Sequence, residues 1–286
     1  MRPLRLLVVS FCVLLTGCGT FIPSQRDWPN DGTGDVTNMN TVLVRSIVCE
    51  LSYAVTTVIE TDLDQSKRRP NHRKYADFLY GWGVEIAADL TVTANTALAS
   101  SGLWAPVSPA SAVFTLGGGI GGGFTATNEN KFNIFYTVAD LYKPAAFKFG
   151  STERPCRYPE GGKEGSLLVD IDLRVVELLW SRSQIVQLRL AEAPGTVPIA
   201  GEKNVLTQTV SIKESVSGDI TPAWKFTTGS VNPSSKLFGT GRDRTHQLVI
   251  TFGPLGPGHK SLNPLAEQFH LNEQLKAGLR GNAIGQ

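Results

Sequence analysis

Charge of a single sign is what this chain most clearly lacks. It carries 27 lysines and arginines against 25 acidic residues, and two of the basic ones, Arg2 and Arg5, precede an N-terminal apolar run. Without those two the formal charge is zero. Nucleic-acid binders carry a basic excess, so no nucleic-acid partner is expected. Charged residues are also sparse, 18% of the chain, below the usual quarter. Motifs of catalysis are missing too. There is no Gly-x-Ser-x-Gly elbow, and His72, His246, His259 and His270 never fall at metal-ligand spacing. Neither Cys49 nor Cys156 stands beside a histidine. Catalytic residues, metal and cofactor are therefore all expected to be none. A triad assembled in space stays open, with Asp243 and His246 as its nearest material.

What is present begins at the N-terminus. Arg2 and Arg5 lead into the apolar stretch 6–15, and Thr16-Gly17-Cys18 follows at once. A positive start, a short apolar core and small residues before a cleavage point describe an export signal. The run is too short for a transmembrane helix, which needs ~20 apolar residues. Leu15-Thr16-Gly17-Cys18 resembles the lipobox of bacterial lipoproteins. That resemblance covers residues 1–19 only. It implies cleavage before Cys18, diacylglycerol on its sulfur and a fatty acid, such as palmitate, on its amine. Gly19 stands where the sorting rule of the lipoprotein class would place Asp for inner-membrane retention. The resemblance thus implies the periplasmic face of the outer membrane, with the bilayer as partner through acylated Cys18.

Cysteine is scarce. Of four, Cys12 leaves with the signal and Cys18 is the lipid site, so Cys49 and Cys156 remain. An export compartment favours a disulfide between them. Such a bond would close a loop of roughly a hundred residues, worth about 4.7 kcal/mol in the chain-entropy model. A buried free thiol at Cys49 is the alternative.

Residues 18–36 lack any apolar period and are rich in Gly, Pro, Asn and Asp, the composition of a tether. Val44, Ile47, Val48, Leu51, Val55 and Val58 recur at helical spacing and predict a helix over 41–60 that packs on a sheet. The basic loop at 67–74 is compensated by Glu60, Asp62, Asp64 and Asp77 and reads as a solvated segment.

The most regular stretch comes next. Trp82, Val84, Ile86, Ala88, Leu90, Val92, Ala94, Thr96 and Leu98 share one parity, with Glu85, Asp89, Thr91, Thr93 and Asn95 on the other. That is a β-strand pattern. Ser100-Ser101-Gly102 and the prolines at 106 and 109 break it. It resumes with Phe114, Leu116, Ile120, Phe124 and Ala126 around the glycine run 117–123, and extends to Phe132, Ile134 and Tyr136. The glycine run is not followed by the Lys and Ser/Thr of a phosphate loop. A long amphipathic hairpin with its tip near Trp104-Ala105-Pro106 is predicted.

Two readings of this hairpin compete. One is a half-buried antiparallel sheet on a core, with glycines where another backbone packs close. The other is a membrane-inserting hairpin, since a transmembrane strand needs only ~9–11 alternating residues. Its lipid face would be Leu90, Val92, Phe114, Leu116, Ile120 and Phe124, a Gly/Thr face would line a lumen, and Tyr80, Trp82, Phe132, Phe135, Tyr136 and Trp104 would form girdles. One hairpin leaves open edges, which lipid does not tolerate, so several copies would have to join in a ring.

Residues 144–165 read as a linker. Beyond it, alternation at 167–175 and short runs at 185–190, 205–212, 224–226 and 248–252 suggest a sandwich-like block over 166–262. Asp170 and Asp172 share a face there, as a solvent-facing acid pair would. Asn263-Pro264 opens a C-terminal helix over 263–286, with Leu265, Phe269, Leu275 and Leu279 as its stripe and Gly278 or Gly281 as its end.

The expected fold is mainly β, as a β-sandwich or as α+β with an antiparallel sheet, with one helix at each end. Signal 1–17, tether 18–36, helix and hairpin 37–143, linker 144–165, sandwich-like region 166–262 and terminal helix 263–286 are the expected divisions. The function read from sequence is a lipid-anchored, non-enzymatic structural or binding protein of the envelope. The alternatives are an oligomeric outer-membrane pore or secretion component inserting hairpin 84–127, and a hydrolase of envelope polymers. Other copies of the chain or other envelope proteins are the open partners.

Overall fold

A computed structural model describes residues 22–23, 25, 36–105, 116–147, 156, 172–188, 204–221, 223–226, 229–231 and 237–284. The elements in chain order are α1 (Val36–Arg68), β1 (Trp82–Trp104), β2 (Leu116–Thr137), α2 (Val138–Leu141), α3 (Val175–Gln187), β3 (Leu206–Ile220), β4 (Trp224–Phe226), β5 (Gly229–Val231), β6 (Phe238–Pro254) and α4 (Pro264–Ile284). One sheet runs β3-β6-β1, with β2 on the other side of β1 and the short β5 and β4 continuing beyond the end of β6. The fold is α+β with an antiparallel sheet. No second sheet forms among the described residues, so of the two predicted architectures the sandwich is not the one adopted.

The chain condenses into two units, each assembled from separated stretches. One comprises Arg26–Leu90, Asn130–Ile212 and His246–Gln286, the other Met1–Gln25, Thr91–Glu129 and Lys213–Thr245. Each of the four long strands therefore leaves one unit and enters the other.

The larger unit holds the main core. Leu43, Ile47, Leu51, Val55 and Val58 of α1 are buried together with Trp82, Val84, Ile86 and Leu90 of β1 and Leu248, Ile250 and Phe252 of β6. These strand residues share one parity, as the pleat requires for a single face. Asn40–Arg68 is long and apolar enough to cross a membrane by length and composition, and its apolar side is spent on this core. Arg69 before Pro70 takes an extended backbone (φ −91°, ψ 147°), because the proline ring disfavours a helical predecessor; that ends α1. The loop after it is held by Asp62, a buried carboxylate that accepts from Arg69 Nη1 (2.9 Å), Tyr75 N (2.7 Å) and Ala76 N (2.9 Å). The basic loop is compensated as expected, with Arg68 on Asp64 and Lys74 on Asp77.

Two strand expectations fail here. Residues 175–187 are helix α3 rather than the end of one strand and the start of another. Val175, Leu179 and Ser183 are buried at helical spacing, and Leu173 N donates to Glu50 of α1 at 2.6 Å. The Leu173/Val175 alternation is only the entry to that helix. Cys49 of α1 is bonded to Cys156, with Cα atoms 5.5 Å apart.

The opposite face of the same sheet carries α4. Asn263 caps it, accepting from Ala266 N at 2.8 Å. Gly253 lets it come close: a Cβ there would stand 2.7 Å from that of Ala266. The buried side of α4 is Ala266, His270 and Ala277, while Phe269, Leu271, Leu275 and Leu279 are exposed. The predicted stripe is thus not the packed one. Neither does a glycine end the helix, which runs through Gly278 and Gly281 to Ile284.

Candidate functional site

The smaller unit has a different character: among the described residues it contains strands and no helix. Its strand segments are 91–104 of β1, 116–129 of β2, 213–220 of β3 and 238–245 of β6. Cross-strand contacts fix their register. Thr93 and Thr127 bring their hydroxyl oxygens to 3.1 Å, Ala99 N donates to Leu237 O at 3.0 Å, and Arg244 Nη1 meets Glu214 Oε2 at 3.5 Å. The order is β3-β6-β1-β2, all antiparallel, leaving β2 and β3 as its edges. β1 runs to Trp104, past the predicted break at Ser100-Ser101-Gly102, because those residues pair with β2 and β5. Gly102, Leu103 and Trp104 face Val231, Ser230 and Gly229.

That register sorts every residue onto one of two faces. The even face carries Leu98, Leu116, Ile120, Phe124, Val216, Ile220 and Phe238. The odd face carries Thr91, Thr93, Asn95, Ala97, Ala99, Gly117, Gly119, Gly121, Gly123, Thr125, Thr127, Ser215, Ser217, Gly239 and Gly241. On the even face Ile120 is 86% exposed, Val216 63%, Ile220 60%, Leu116 59% and Phe124 53%. Soluble monomers rarely leave so many large apolar side chains bare and adjacent. The band ends at Arg242, Arg244 and Glu214, which lie on the same parity near 213–216. Asn128, close to that end, donates from Nδ2 to Pro23 O (3.0 Å) and accepts at its carbonyl from Gln25 Nε2 (3.2 Å).

The glycine run divides by face. An added Cβ at Gly119 or Gly123 would stand 3.2 or 3.3 Å from the carbonyl oxygens of Ser100 and Thr96, whereas Gly118 and Gly122 open onto nothing within 4 Å. Odd glycines permit a close, smooth approach to β1. Even ones separate Leu116, Ile120 and Phe124 along the apolar face.

Of the predicted membrane-facing residues, Leu116, Ile120 and Phe124 are together and bare. Leu90 is not: it is fully buried in the core under α1, and Val92 is buried as well. Phe114 and Cys18 lie outside the described residues, as does Asp170. The predicted lower girdle is corrected too. Trp82 is buried, and Phe132 and Tyr136 pack on the core, because α1 covers the even face up to Leu90. Val216 and Ile220 stood outside the sequence-based site and beyond the run 205–212 read there; the signal that could have found them is the continued alternation of the strand to Ile220.

The candidates for catalysis are not brought together. His246 is buried on the even side of β6 and Asp243 leaves the strand on the odd side, so the pleat turns the two to opposite faces. Asp172 accepts from Arg174 N at 2.9 Å and acts as a local turn acceptor. No group of three or more His, Cys, Asp or Glu that could hold a metal occurs among the described residues. In the larger unit His270 is buried between α4 and the sheet. Burial holds its pKa down at about 4. Burial, then the nearby Glu267, pushes Glu85 up. Tyr142 is raised by burial and by its hydrogen bond to Glu60. A groove of about 430 Å³ lies beside α4, with Leu271, Leu275, Ala87 and Val249 in its wall. No protein-family model, curated protein or solved structure matches this chain.

Proposed function

We propose that this chain is a lipid-anchored, non-enzymatic protomer of an oligomeric β-barrel pore in the outer membrane. Each copy contributes the four strand segments of its smaller unit, and the acylated Cys18 holds it at the periplasmic face. The observation that carries this reading is the bare even face, Leu116, Ile120, Phe124, Val216 and Ile220, backed by an odd face that is mostly Gly, Ala, Ser, Thr and Asn with a few charged residues. A lipid-facing sheet has that division, apolar outward and polar toward the lumen. The segments 91–104 and 116–129 each exceed the ~9–11 residues that cross a bilayer. Edges are the remaining requirement. Backbone groups on β2 and β3 must be paired before they meet hydrocarbon, and the β2 edge of one copy with the β3 edge of the next supplies the partners. Rotation about a common axis then closes the ring. The strand segments 213–220 and 238–245, which the sequence reading did not assign to the membrane, double what each copy contributes.

Three acyl chains at Cys18, the number the lipobox resemblance implies, exceed the more than one chain that stable anchoring takes. Chemical cross-linking of detergent-solubilised full-length protein tests assembly. A ladder ending at one defined ring size is expected, and Ile120→Asp with Phe124→Asp should abolish membrane insertion while leaving the disulfide formed. A wild-type protein that stays monomeric at all concentrations would sink the pore. Cys18→Ser is expected to reduce the membrane-bound fraction of the unassembled protein.

A further inference from the structure

Resting on the reading of this chain as a pore protomer, we propose that the far end of the β1–β2 pair, Leu103, Trp104 and Leu116, is the surface by which each copy docks on the bilayer. It seats in the boundary between headgroups and acyl chains before the ring closes, and it then leads the strands across. Two observations meet at this end. The first is charge. From Leu90 to Asn128, between Asp89 and Glu129, the sequence holds no charged residue, in a chain that is 18% charged. The other arm differs. Its strands carry charges of both signs, Asp219 and Arg242 among them, and the sequence joining Ile220 to Phe238 adds Lys225 and Lys236. Hydrocarbon opposes the entry of each charged side chain, so the uncharged arm is the one whose entry is opposed least.

The second observation is that the division into an apolar and a polar face breaks down there. Along most of β1 in the smaller unit the odd face is Thr, Asn, Ala and Ser, but at its end it is Leu103, 40% exposed and opposite Ser230. An added Cβ at Gly117 would stand 3.7 Å from Leu103 Cδ1, an ordinary contact. On the even face Trp104 is 52% exposed and Leu116 59%. Gly102, Gly117 and Gly118 line a shallow hollow with these three side chains. A wall facing water gains nothing from a bare leucine, and an end facing water gains nothing from a bare indole. The headgroup boundary suits both, because an indole there buries its ring on the apolar side and keeps its N–H on the wet side. Docking by this end alone leaves the rest of the β2 and β3 edges in water, so it precedes ring closure without exposing unpaired backbone to hydrocarbon.

The test uses the full chain carrying Cys18→Ser, so that no acyl chain contributes, at concentrations where cross-linking finds only monomer. This reference protein is expected to float with phosphatidylcholine vesicles, and lipids brominated near the headgroup should quench its tryptophan emission. Trp104→Phe should keep most of the flotation and lose much of the quenching. Trp104→Lys with Leu116→Lys should weaken vesicle binding by about tenfold or more. Leu275→Lys, at a leucine equally bare on α4 (64% exposed), should change it by less than about twofold. Formation of the Cys49–Cys156 bond and an unchanged thermal midpoint qualify each variant as folded, and Leu103→Lys alone replaces the double variant if that one fails. A reference protein that does not bind vesicles, or binding that survives the lysines or is lost equally in Leu275→Lys, overturns docking through this end and leaves the pore to its own cross-linking test. Vesicle binding lost as expected, in a lipidated wild-type chain that never forms a ring, keeps the docking surface and overturns the pore.

Discussion

His270 Nδ1 lies 2.8 Å from Thr251 Oγ1, which joins α4 to β6 through a fully buried imidazole. Its other nitrogen meets Gln274 Nε2 at 2.8 Å and stands 3.9 Å from Glu85 Oε1. Burial lowers the pKa from 6.5 to about 4, so the folded state holds the neutral ring while the unfolded chain takes a proton below about 6.5. This group's stabilising contribution is complete above that pH and declines as pH falls from about 6.5 to 4, by about 3 kcal/mol at most. Glu85, whose pKa is raised, works the other way and adds stability as it protonates. Urea unfolding against pH should show a slope in this window that His270→Gln removes. A variant with the wild-type slope would assign it to another group.

The Cys49–Cys156 bond ties α1 to a residue 107 positions away. Constraining a loop of that size in the unfolded chain stabilises by about 4–5 kcal/mol in the entropic account. Reduction, or replacement of both cysteines by alanine, is expected to lower the urea midpoint accordingly. An unchanged midpoint would mean that the unfolded ensemble is already compact around this pair.

Asp62 satisfies two backbone N–H groups and Arg69 from within the core side of the loop. Asp62→Ala strands the two backbone donors and takes the counter-charge from the Arg69 guanidinium, which keeps its bonds to Arg73 O and Gln65 Oε1, a loss of about 3 kcal/mol, the low end for a broken buried pair. Asp62→Asn keeps acceptor oxygen and should recover part of it. Thermal melts of both variants separate charge from hydrogen bonding.

Gly253 marks the closest approach of α4 to the sheet, and a methyl group there meets Ala266 at 2.7 Å. Gly253→Ala is expected to cost about 1–3 kcal/mol through displacement of the helix. Pairing it with Ala266→Gly should restore much of the loss, a coupling that a double-mutant cycle reads directly. Independent, additive effects would show that the helix does not move.

The strands of this fold were legible wherever one face is buried or bare and the other polar. Alternation over 82–98 gave β1 its faces before any contact was known, whereas the short run 205–212 marked only the first half of β3 and assigned it no faces. The same alternation is blind to what covers a face. Leu90 and Ile120 read alike in sequence, yet the first is fully buried in the core with α1 and the second is 86% exposed. Short runs misled for a related reason. Leu173 and Val175 fit a period of two, but Val175, Leu179 and Ser183 fit 3.6 equally well, and a few residues cannot separate the periods. On α4 the large apolar residues promised the packed side, whereas small Ala266 and Ala277 face the sheet because Gly253 draws the helix too near for anything larger.

The contacts of Asn128 with Pro23 and Gln25 have a mechanical consequence. Pro23 lies five positions beyond Cys18, and an extended chain gains at most ~3.6 Å per residue. The Cα of Cys18, the proposed acylation site, could therefore lie no more than about 18 Å from that of Pro23. The leash is therefore short enough to dictate insertion depth: strands could sink into hydrocarbon only until the acylated end is drawn level with the headgroups, and the anchor would serve as a depth stop as well as a tie.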